Sequence, residues 1–181
     1  MESLVDTLMQ KLSGEALSQV SRHIGADPNT TQQALSTVLP MLVGGLAHNA
    51  SQPQGASALH QALDADHNGS ILDNTAGHVA NPNTQAGQGI LSHVFGNSQS
   101  QVEQVVAQQT GLQPAQAGQL LAIAAPLVLG YLGRQQHQQG LNPQGLAGLL
   151  GQQAQMAQGS QPGGLNLLGQ LLGGGQTTSG T

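Results

Sequence analysis

Residues Ala26–Asn49 read ADPNTTQQALSTVLPMLVGGLAHN, and Leu112–Gln135 read LQPAQAGQLLAIAAPLVLGYLGRQ. The two stretches are one design used twice: a proline at the start, an apolar run, an internal proline, then glycine and leucine. Pro28 and Pro114, Pro40 and Pro126, Gly44 and Gly130, and Leu46 and Leu132 each stand 86 residues apart. Asp27-Pro28 is a helix start, because Asp accepts free first-turn N–H groups and proline there loses no hydrogen bond. Pro40 and Pro126 remove a bond inside the helix, at about 3 kcal/mol unless it bends, so each copy is expected to have a kinked central helix. Met41–Ala47, MLVGGLA, is apolar almost all round and so predicts burial on every side. Gly44-Gly45 would let another helix come close.

The repeat extends on both sides. Ser3 with Asp6 predicts a capped first helix to about Lys11, carrying Leu4, Val5 and Leu8. Ser13–Ile24 predicts a second, with Gly25 at its left-handed end. In the second copy Ile90, Val94 and Phe95 answer Leu4, Leu8 and Met9, while Val106 answers Val20 and Gly111 answers Gly25. Ser100-x-x-Glu103 predicts a capping box and a helix over 101–110. Pro53-Gln54-Gly55 then Leu59 matches Pro143-Gln144-Gly145 then Leu149 at a shift of 90, as four residues inserted near His137 would produce. Matching over roughly fifty residues marks an internal duplication. The predicted organisation is all-α: a first helical repeat over 1–63, a polar linker with an Asp-rich turn over 64–88, a second repeat over 89–157, and a flexible Gly/Gln-rich tail over 158–181. Within that tail Leu165, Leu168, Leu171 and Leu172 keep partial helical spacing, flanked by glycines too poor at helix formation to hold one alone. They are expected to dock on the body or on another copy.

Composition narrows the function. Of 181 residues 38% are hydrophobic but only Phe95 and Tyr131 are aromatic, so the core is aliphatic and suits close helix packing. Charged residues make up 6%, leaving a surface of Gln, Asn, Ser, Thr and His that repels its own kind weakly. With three basic residues and a net charge of −5, phosphate neutralisation cannot drive binding, and no nucleic-acid partner is expected. The absence of cysteine excludes disulfides, Cys-ligated zinc and thiol chemistry. Glu2 and Asp6 ahead of a short apolar pattern argue against a signal peptide. The run Leu120–Leu132, broken by Pro126, falls short of the ~20 residues a spanning helix needs. A cytoplasmic protein without a membrane span is expected.

One string has metal-ligand spacing. Asp64, Asp66, Asn68, Ser70 and Asp73, with Gly69 between them, fit the first half of a Ca²⁺ loop, in which alternating oxygens wrap a hard cation and glycine supplies the tight turn. The twelfth position is Thr75 where a bidentate Glu belongs, and Asp73 substitutes only if the loop closes differently. The other reading is a turn whose Asx side chains cap the flanking helices Leu59–Leu63 and Leu72–Val79. Of seven histidines only His60 and His67 lie near these carboxylates, without a one-turn His pair for zinc. No nucleophile elbow or phosphate loop occurs, so no catalytic residue is expected.

At the string Leu63-Asp-x-Asp-His-x-Gly-Ser-Ile-Leu-Asp73, together with the proline-bearing apolar repeat, the chain resembles the bacterial domain-of-unknown-function family 937. The resemblance covers residues 1 to about 155, and the distantly similar YidB-like proteins share the helical character. It implies an all-α bacterial protein without established activity, and it brings no catalytic residues. The expectation is a non-enzymatic interaction or scaffold protein that self-associates, with a Ca²⁺-responsive binding module as the alternative.

Overall fold

The computed structural model describes residues 3–65 and 69–160, whose regular structure is all helix, without a strand among them. The elements are α1 (Leu4–Lys11), α2 (Glu15–Ile24), α3 (Pro28–Ala50), α4 (Pro53–Ala65), a 3₁₀ turn (Ser70–Asn74), α5 (Thr75–Ala80), α6 (Thr84–Phe95), a second 3₁₀ turn (Gly96–Ser98), α7 (Gln99–Thr110), α8 (Pro114–Gln139) and α9 (Pro143–Ser160). The predicted leucine-bearing tail lies outside the described residues.

Local chemistry accounts for most boundaries. The Ser3 hydroxyl accepts from the Asp6 N–H at 3.0 Å and donates to the Asp6 carboxylate at 2.6 Å. Asp27 accepts from the Thr30 N–H at 2.9 Å and the Thr30 hydroxyl at 2.6 Å, which holds its carboxyl below the ordinary range. Gly25 and Gly111 end α2 and α7 at φ 74° and 78°, a conformation costly for any residue with a β-carbon. α3 and α8 continue without a break through Pro40 and Pro126. His137 sits in the last turn of α8, so the four residues expected as a loop insertion near it fall within or beside a helix.

Three expectations change. Ser100 is not a cap: the 3₁₀ turn Gly96–Ser98 delivers the chain into α7 already in helical conformation, and Glu103 instead accepts from the Gln99 amide at 3.0 Å. The stretch 64–88, expected as a polar linker, holds the first 3₁₀ turn, α5 and the start of α6, with Leu72 and Val79 buried. Finally, α8 is, among the described residues, the one helix long and apolar enough to cross a membrane, with mean hydropathy 1.4 over its most apolar window. However, 78% of that window is buried inside the helical body.

The buried apolar side chains form a single cluster from Leu4 to Ala157. At its centre α3 packs on α8, and each also touches helices of the other half, α3 meeting α6, α7 and α9 while α8 meets α1, α2 and α4. Both halves therefore share one core. Each large aliphatic side chain contributes about 1.5–3 kcal/mol on burial, an upper bound given a partly collapsed unfolded chain.

Amides join the halves at helix ends. Terminal turns leave N–H and C=O groups without helical partners, and the side chains that reach them come from far along the chain. Gln153 accepts from the Leu4 N–H at 2.8 Å, and the Gln116 amide donates to the carbonyls of Ile24 and Gly25 at 3.0 and 3.2 Å. Asn49 donates to the His93 carbonyl at 3.3 Å, and away from the helix ends Gln136 reaches the His60 carbonyl inside α4 at 3.3 Å. The Gln-rich composition thus includes neutral connections where many proteins use ion pairs.

Candidate functional site

The main concavity lies where the C-terminal half of α3 meets α4 and α6. Leu46, Leu59, Ile90 and Val94 form its walls and Leu129 of α8 its floor, around about 660 Å³. Alanine and glycine at 58, 62, 86 and 89 leave the space open, since longer side chains there would fill it. Gly45 sets the depth: a β-carbon there would stand 2.6 Å from the Phe95 ring and 2.9 Å from Val94, so α6 seats directly on α3. Asn49, Gln61 and His93 are its polar residues, and among the described residues no Asp, Glu, Lys or Arg lines the groove. Walls of this kind take up apolar groups and reject charge.

A second depression, about 440 Å³, lies among α1, α8 and α9 and is lined by Thr7, Tyr131, Gln135, Leu149, Gln152 and Gln153. Thr7 and Gln135 stand 86 positions from His93 and Asn49, and Leu149 and Gln152 stand 90 positions from Leu59 and Ala62. Across these pairs Gln135 and Gln152 are longer than Asn49 and Ala62, Leu149 and Leu59 are identical, and Thr7 is shorter than His93.

The residues proposed for Ca²⁺ are divided. Asp66 and Asn68 lie outside the described residues, as does His67. Asp64 closes α4, and its Oδ1 accepts from the Gln136 amide at 3.3 Å and lies 3.4 Å from His137 Nε2. Ser70 opens the 3₁₀ turn. Asp73 faces Arg134, whose Nη2 donates to its carboxylate at 2.6 Å and to the Gly69 carbonyl at 2.8 Å. Gly69 has φ 93°, as a tight turn requires, and a β-carbon there would come within 2.7 Å of Arg134 Cβ. A guanidinium thus binds two oxygens of this turn. Asn74 accepts from the Gly77 N–H at 3.0 Å and caps α5, as the Asx reading requires. Among the described residues no three His, Asp or Glu side chains converge on a point.

The histidines serve helix ends and carbonyls. His60 Nε2 lies 2.8 Å from the Leu141 carbonyl, and His137 Nδ1 lies 2.7 Å from that of Gly133. His78 Nε2 is 3.4 Å from the Ile123 carbonyl, and burial lowers its pKa below the ordinary value despite that hydrogen bond. Gln136 is 3% exposed, and its Oε1 has no hydrogen-bond partner.

Sequence reasoning missed the groove, because its walls come from α3, α4 and α6, and α6 lies far along the chain from the other two. It also missed Arg134 and Gln136, which belong to no motif. The 86-residue offset was the available signal: it sets Gly45 against Tyr131, the smallest residue against a large one.

Compared with known families, residues 6–135 match the one described as "Bacterial protein of unknown function (DUF937)". No curated protein and no solved structure matches the chain.

Proposed function

The chain belongs to that bacterial family of unknown function, DUF937, and from this premise we propose that it is a non-enzymatic helical interaction module that self-associates. In this reading it descends from two copies of one four-helix unit, whose central helices bend at Pro40 and Pro126 and close on a common core. The observation that carries the reading is the uncharged apolar groove between α3, α4 and α6, kept open by alanine and glycine at 58, 62, 86 and 89. Its occupant is an uncharged, leucine-bearing peptide segment. Leucines enter the walls and give up water at about 25 cal/mol per Å² of apolar surface, while Asn49, Gln61 and His93 meet the peptide edge.

The test uses a chain ending at Ser160, which keeps α1 to α9 and the buried residues from Leu4 to Ala157. A fluorescent neutral leucine-bearing peptide is titrated against it and against its Ala62→Asp variant, and sedimentation of the full chain is followed over a wide concentration range. Binding that the Asp weakens at least about tenfold supports the reading, since a carboxylate in an apolar wall is costly. A strict monomer that ignores the peptide counts against it.

A further inference from the structure

Resting on that reading, we infer that the groove is occupied by this chain's own segment Leu165–Leu172, held in cis. The described body ends at Ser160, and 21 residues follow, free of Asp, Glu, Lys, Arg and His. Leu165, Leu168 and Leu172 recur at intervals of three and four, with Leu167 and Leu171 beside them. A neutral groove and a neutral segment suit each other: neither presents a charge that would have to be buried unpaired.

Tether length decides between this copy and another. Only Gln161–Gly164 separate the last residue of α9 from Leu165, and two of the four are glycine. Extended chain covers about 3.3 Å per residue, so the leucines reach roughly 15–40 Å from Ser160. That spans a body of roughly 160 residues, whose radius of gyration is about 15 Å. A tether this short holds its segment at an effective concentration of about a millimolar, well above micromolar protein. The tail in cis therefore outcompetes the tail of a second copy until the protein is concentrated, and the groove is self-capped. Self-association then proceeds by exchange of tails.

The chain lacks cysteine, so a disulfide trap is unambiguous. In the full chain, Gly89→Cys is paired with Leu168→Cys; a β-carbon at 89 meets nothing within 4 Å, so the fold tolerates it. Ala62→Cys with Leu168→Cys repeats the test from the opposite wall. Gln32→Cys with Leu168→Cys, on an exposed turn of α3 away from the groove, is the control. Under mild oxidation in dilute solution, the groove pairs should form an intramolecular disulfide at least about tenfold faster than the control. Equal rates, or disulfides mainly between chains, overturn the inference. Peptide binding to the chain ending at Ser160 is unaffected by that result, so the two readings fail separately.

Discussion

Gly87 of α6 lies against the backbone of Ala122 in α8, so closely that a β-carbon at 87 would overlap the Ala122 carbonyl. Pro126, four residues on, has no N–H to give that carbonyl, which makes it the acceptor freed by the proline. Gly87 fits against this surface, and its Cα–H is a weak donor placed where the helix lacks one. Two features that look destabilising alone, a proline in a core helix and a glycine in its neighbour, are thus complementary. Gly87→Ala should cost about 1–3 kcal/mol through overpacking, although the same change in an open helix gains about 0.5–1 kcal/mol. Gly89→Ala, two residues away and open, should show that gain. Urea midpoints of the two variants moving in the same direction would contradict this account.

The pH response should follow His78. Burial favours its neutral ring, so the folded pKa lies below the unfolded value of about 6.5. The folded state binds fewer protons there, and stability rises with pH. The contribution is complete above about pH 6.5 and is lost as pH falls through the lower folded value. Urea midpoints should drop between pH 7.5 and 5.5, and His78→Gln should flatten that slope. Asp27 acts at lower pH with the same sign: Thr30 lowers its carboxyl, and the benefit fades below the unfolded value of 3.8.

Much of the fold was legible because it is local. Asp27, Pro28, Pro114, Gly25 and Gly111 act within a turn of where they stand, so their chemistry shows in the string itself. Gly87 could not be read that way. It resembles loop composition, and its reason lies 35 residues away in Ala122, which is why α6 begins earlier than its apolar pattern suggests. Asn49, Gln116, Gln136 and Gln153 are equally silent, since one amide among many carries no mark of reaching a distant helix. The Asp-rich turn was legible as a turn, but Arg134 was invisible there.

That guanidinium bears on Ca²⁺. Asp73 already carries a 2.6 Å hydrogen bond from Arg134, which also takes the Gly69 carbonyl. A divalent ion would have to displace or repel it. Calorimetry should register no heat with the wild-type chain at about 1 mM Ca²⁺, the weak end of known loop affinities. Arg134→Gln should leave that result unchanged, because Thr75 still stands where a bidentate Glu belongs. It should lower stability by about 1 kcal/mol, since the pair is partly exposed and its bond to Gly69 only part-buried. Saturable heat in the wild type, abolished by Asp64→Ala with Asp66→Ala, would reinstate the metal loop.

Gln136 offers the sharpest test of the joined core. Its amide N–H groups face the His60 carbonyl and the Asp64 carboxylate, both acceptors, so the side chain must present nitrogen on that side. Gln136→Glu keeps the shape and replaces donor with acceptor, in a residue only 3% exposed and beside an existing carboxylate. Burial and like charge both raise the pKa of the new acid in the folded state. At pH 8 it must ionise unfavourably or hold its proton against bulk solution, at about 3 kcal/mol. At pH 5.5 the protonated acid donates to Asp64 or His60 and recovers most of that loss. The variant should therefore gain stability on acidification, opposite in sign to the wild type. Parallel melting profiles for the two chains between pH 5.5 and 8 would mean that this amide does not face the acceptors assigned to it.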